Sequence, residues 1–197
     1  MKNAKIKRMV SIALLMALVF LMQFISGMIP LVSGFSISLV LIPIVLGAAL
    51  FGPTAGAILG GTFGAIVFIN CVNGADMGGA MVFQAGPVLC FLLVIGKGIL
   101  AGFVSGLVYK LLNNKNQYLA MLVAAIVCPV INTGVFVLCM VTLFNDVISA
   151  WATAAGADLF TYIFSILLLF NFVPELIINV VFSPASVRIM KVVNKNK

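Results

Sequence analysis

Two ionisable side chains, Lys97 and Glu175, stand inside long apolar runs. A charge there is costly and is kept for a binding site or a packing network. Lys97 lies ten residues beyond Pro87. Glu175 lies four residues after Asn171 and four before Asn179, so these three share one helical face. Asn132 sits in another run, between Pro129 and Gly134; Asn70 is placed as the cap of a third, and Gln84 in the loop ahead of the Lys97 run. A base, an acid and several amides suit recognition of a small polar molecule. Lys97 would hold a carboxylate or phosphate, Glu175 an amine or ring N–H, and the amides would orient the ligand, as sparse polar groups do in mostly apolar pockets. An internal role is the alternative: Lys97 and Glu175 pair with each other, and the asparagines bond neighbouring backbones. Asn179, placed deepest, fits that second role best.

Catalysis has no matching set. The chain lacks histidine, H-E-x-x-H, G-x-S-x-G and a Walker A motif, so it is read as no enzyme, with no cofactor and no ATP hydrolysis of its own. Cys71, Cys90, Cys128 and Cys139 are scattered, form no C-x-x-C pair, and read as small apolar packers and not as metal ligands. The glycine-rich run at residues 73–79 has no Lys-Ser ending and reads as a flexible loop. Trp151, the single tryptophan, is either an interfacial anchor or an aromatic lid that stacks on a flat ring.

The elements that must carry these residues follow from composition. Hydrophobic residues make up 64% of the 197 and charged residues 8%, against roughly 25% charged in soluble domains. No soluble domain of this size could bury so much apolar surface, so lipid must act as the solvent. The expectation is an all-α integral membrane protein: a single, compact six-transmembrane-helix bundle spanning residues 1–197. Spans are placed at residues 9–29, 37–51 and 54–72, within 87–112, within 118–144, and from about 168–171 to 190. The first run is too long for a signal h-region and has no cleavage site, so it is read as retained. Pro174 favours a helix start over a helix interior, so residues 159–167 are read as a short helix or re-entrant cap on the outer face. Ten of the eleven cations flank the spans on one side: Lys2, Lys5, Lys7 and Arg8, then Lys110 and Lys115, then Arg188, Lys191, Lys195 and Lys197. That side is read as the cytoplasm, with both termini in it. The net charge of +7 is thus a topology signal and not a nucleic-acid footprint.

Helices associate in lipid where small residues let backbones approach. Gly56, Gly60 and Gly64 repeat every fourth residue, as do Gly98, Gly102 and Gly106, which marks both rows for helix packing. Ala13 and Ala17 form a further small pair.

Four stretches, in order, resemble the substrate-binding subunits of energy-coupling factor (ECF) transporters. They are A-x-x-x-A at residues 13–17, S-I-S-L-V-L-I-P-I-V-L-G-A-A-L-F-G-P-T-A-G-A-I-L-G-G-T-F-G at 36–64, K-G-I-L-A-G-F-V-S-G-L-V-Y-K at 97–110, and F-N-F-V-P-E-L-I-I-N at 170–179. The resemblance implies a six-helix subunit of a bacterial plasma membrane, with a vitamin-like ligand bound near the outer surface. Asn171 would touch that ligand, with Glu175, Lys97, Asn132, Gln84, Asn70 and Trp151 as further candidates. Ala13 and Ala17 would dock onto a transmembrane coupling subunit that is powered by two cytoplasmic ATPases, and delivery would occur by toppling. Glu175 stands where riboflavin-specific relatives would carry a base, which points away from riboflavin and leaves pantothenate-like, pyridoxine-like and other vitamin-sized compounds. The competing classes are a self-sufficient secondary transporter or channel, which predicts inverted repeats, and an intramembrane enzyme or a purely structural assembly protein; the missing catalytic groups oppose the enzyme, and the internal Lys97 and Glu175 oppose the structural protein.

Overall fold

The computed structural model describes residues 2–27 and 39–195. Among these, every regular element is helical: α1 (Lys2–Gly27), α2 (Leu41–Phe51), α3 (Pro53–Asn73), α4 (Met77–Ala85), α5 (Pro87–Leu112), α6 (Gln117–Leu143), α7 (Asn145–Ala154), α8 (Leu159–Thr161), a π-helical stretch (Tyr162–Phe172) and α9 (Val173–Lys195). Five helical segments are long and apolar enough to cross a membrane: Lys5–Gly27, Pro53–Asn73, Pro87–Leu112, Gln117–Leu143 and Leu159–Val193. They carry large exposed apolar side chains, such as Phe20, Phe24, Leu92, Leu138 and Phe182. That outward apolar surface is what a lipid solvent requires.

The second expected span is shorter than its apolar run. The helix begins at Leu41, after a turn at Leu39 and Val40, while residues 37 and 38 lie outside the described ones. Eleven residues rise about 16 Å, half of a hydrocarbon core of about 30 Å. Lipid is not what shields most of this helix. Leu41, Ile44, Val45 and Ala48 are buried, packed with Leu59, Met121, Ala124 and Val187 of α3, α6 and α9. A helix apolar on every side belongs inside a bundle, and α2 is placed there.

Against α2 lies the tightest helix pair. A Cβ built on Gly56 would fall on the carbonyl oxygen of Gly102, and one on Gly60 on that of Gly98. The two glycine rows therefore zip α3 to α5 backbone against backbone, and Gly64 and Gly106 extend the seam to Val94–Ile95 and to Pro53. Tryptophan-free polar ties hold one end of the bundle: Arg8 Nη2 donates to the carbonyl of Phe51 at 2.9 Å, and Lys191 Nζ to Tyr118 Oη at 3.2 Å.

Five local expectations are corrected. The last helix does not start at residues 168–171, nor do residues 159–167 fold back as a separate cap. Leu159–Val193 is one helical segment. It passes Pro174 because the preceding turns are π-helical, with the Val173 N–H reaching back to the carbonyl of Leu168. Proline lacks an N–H, and its ring crowds the carbonyl four residues earlier; wider turns ahead of it relieve that clash. Residues 77–79 of the supposed loop are helical, because Asp76 caps α4 by accepting the Gly79 N–H at 2.9 Å. Gln84 consequently lies within α4 and not in a loop, and Asn70 lies inside α3, which continues to Asn73.

Candidate functional site

Proline and glycine place the backbone of the site. Gly86 is extended and Pro87 occupies the first turn of α5, where a missing N–H costs nothing. Lys97 then rides about 15 Å along the helix, near the middle of α5. Its ammonium lies 4.8 Å from the ring centre of Phe136 and 5.9 Å from that of Phe63. These contacts supply some of the stabilisation that water would give the charge. Lys97 makes no ion pair with a described residue, so the direct Lys97–Glu175 pair is not formed.

Lys97 opens into a cavity of about 70 Å³. Val67 and Cys71 of α3 and Leu93 and Val94 of α5 form its apolar wall, with Cys90 beside them. Asn132, Thr133 and Phe136 enter from α6, Asn171 from the π-helical stretch, Trp151 from α7, and Asp76, Gly79 and Val82 from the start of α4. Four candidates from the sequence therefore meet in one place: Lys97, Asn132, Asn171 and Trp151. Glu175 is buried outside this lining, and the Asn179 amide donates to the Glu175 carbonyl at 2.8 Å, along their own helix. Asn70 is half-buried and gives its carbonyl to the Asp76 N–H at 3.3 Å, while Gln84 is exposed; neither lines the cavity.

Two polar atoms in the wall ask for a partner. The Oδ1 atoms of Asn132 and Asn171 are buried without a hydrogen bond among the described residues. An unmet buried acceptor costs about 1–3 kcal/mol, which makes it a natural contact for a bound solute. Trp151 is buried, and its indole N–H lies 3.0 Å from Met81 Sδ, tying α7 to α4 across the cavity.

Sequence reasoning missed Asp76, Thr133 and Phe136. A signal existed for Phe136, which lies one helical turn beyond Asn132 and so on its face. Asp76 falls in the glycine-rich run that reads as a flexible loop, and nothing local shows that it caps α4 beside the cavity. Outside the cavity, Ala13 and Ala17 are both exposed on α1. Among the described residues no cluster of three or more potential metal ligands occurs.

An all-helical, lipid-facing bundle with a small polar cavity walled by six elements defines a multi-pass membrane protein. The sequence model described as ECF transporter, substrate-specific component, matches residues 7–186, and the chain belongs to that family. It is a substrate-specific subunit of an ECF importer, a transporter part and not an enzyme, which works with the ECF energising module in a membrane. No curated protein and no solved structure matched the chain.

Proposed function

We propose that the chain captures a vitamin or vitamin-like small molecule at the extracellular side of a bacterial plasma membrane. Six helices form the membrane domain, the short α2 enclosed by the five longer ones, with both termini cytoplasmic. Delivery follows by toppling against a transmembrane coupling subunit driven by two cytoplasmic ATPases. The observation that carries this reading is the meeting of Lys97, Asn132, Asn171 and Trp151 in one cavity. Family membership supports the division of labour. A cavity of about 70 Å³ is smaller than the roughly 300 Å³ or more of ordinary ligand pockets, so binding has to widen it. The short helices α4 and α7, joined by the Trp151–Met81 contact, are the cheapest part to displace.

The test is a binding screen of the purified chain against water-soluble vitamins and their precursors. Tight binding without ATP is expected, weakened by Asn171→Ala and by Lys97→Met; Glu175→Ala weakens it less, because Glu175 is buried outside the lining. Undiminished affinity in both cavity variants rejects the site. Uptake into liposomes by the chain alone rejects the dependence on partner ATPases.

A further inference from the structure

The cavity holds one cation and one anion, and they do not neutralise each other by contact. Lys97 is half-buried over Phe136 and has no ion-pair partner among the described residues. Asp76 spends Oδ1 on the Gly79 N–H at 2.9 Å. Its Oδ2 lies against Gly79, so close that a Cβ there would stand 3.1 Å away, and Gly79 itself belongs to the lining. Around them, Asn132, 5% exposed, and Asn171 present oxygens that lack a hydrogen bond among the described residues. The wall therefore offers one cation, one carboxylate, and two amides and the Thr133 hydroxyl that can donate as well as accept. An anion alone would answer Lys97 but would face the Asp76 carboxylate across the cavity. A cation alone would answer Asp76 and be repelled by Lys97. A neutral molecule would seal two charges away from water, at several kcal/mol by general estimates of charge burial.

We propose that the substrate is a zwitterion: a compact molecule with a carboxylate or phosphate that meets Lys97 and an ammonium or comparable N–H-rich cationic group that meets Asp76. The Asn132 and Asn171 oxygens take the remaining N–H donors. This rests on the reading of the cavity as the substrate site. It adds what that reading leaves open, namely which charges the substrate carries and at which ends. Selection against singly charged analogues then arises from the penalty on the unanswered wall charge, a form of discrimination in which the wrong ligand is rejected more than the right one is attracted.

The experiment uses the full-length chain in detergent or nanodiscs and a panel of small zwitterionic vitamins and amino-acid derivatives. Each is paired with its deaminated and its decarboxylated analogue, and binding is read by calorimetry. Wild type should bind at least one zwitterion about ten-fold or more above both of its analogues, as expected for a charged hydrogen bond lost in a buried site. Asp76→Asn keeps the helix-capping oxygen, so α4 stays formed. It should erase the preference over the deaminated analogue while leaving the preference over the decarboxylated one. Lys97→Met should do the reverse. Three results bear on the two claims separately. If an anion binds wild type as well as its zwitterionic parent, and Lys97→Met and Asn171→Ala both abolish binding, the cavity stands and the zwitterion is rejected. If affinity for every bound compound is unchanged in Asp76→Asn, Lys97→Met and Asn171→Ala, the cavity reading falls as well. If the preferences shift reciprocally, both hold.

Discussion

Gly60 of α3 and Gly98 of α5 meet with no side chain between them: a Cβ on either would lie on the other's carbonyl oxygen. Backbone cannot step aside as a flexible side chain can. Replacing either glycine by valine should therefore destabilise the bundle by about 1–3 kcal/mol or more. Thermal unfolding in detergent checks this against Gly134→Ala. Gly134 is exposed, with nothing within 4 Å of a built Cβ, so that control should be neutral or stabilising by up to about 1 kcal/mol.

Asn132 joins function to instability. Its buried Oδ1 lacks a hydrogen bond among the described residues, so an apolar residue of similar volume removes an unmet desolvation cost. Asn132→Leu should raise the melting temperature by an amount worth about 1 kcal/mol while lowering substrate affinity. A variant that loses both stability and binding contradicts this assignment.

Trp151 is the single tryptophan and borders the cavity, so intrinsic fluorescence reports on that site. Substrate addition should change emission intensity or wavelength in wild type. The same titration in Trp151→Phe should be silent, even where calorimetry still detects binding.

Asp158, in front of the last helical segment, receives the Thr161 hydroxyl at 2.6 Å and the Thr161 N–H at 3.1 Å. The Thr161 side chain foremost, then its backbone N–H, holds the exposed carboxyl below its ordinary range. Because the folded value is the lower one, the cap's contribution is present above the unfolded carboxyl's range and is lost as pH falls through the folded value. Thr161→Val should move the Asp158 titration upward, as followed by carboxyl-carbon NMR.

Ala13 and Ala17 are exposed on α1, away from the cavity lining. In the proposed docking role, Ala13→Trp and Ala17→Trp should leave ligand affinity within about two-fold of wild type and stop uptake by the assembled transporter. Reconstituted uptake set beside binding to the isolated chain separates the two effects. Normal uptake in both variants removes α1 from the interface.

Residue order alone determined that the chain lives in lipid, that most of its long apolar runs become long helices, and that α3 and α5 carry smooth glycine rows. Hydropathy and small-residue spacing are properties of neighbours along the chain, and membrane physics acts on them directly. The course of the chain at Pro174 was not legible, since a proline that usually starts a helix can be carried by π-helical turns set up before it. Nor was the coverage of α2, whose lipid-like sequence is buried by other helices. The cavity depended most on tertiary structure. Asn171 and Glu175 share a spacing, but only Asn171 lines the cavity, and Asp76 joins it from a segment that reads as loop. Which polar groups converge depends on how α3 to α7 and the π-helical stretch pack against one another. That packing sums weak, distant contacts that no local pattern records.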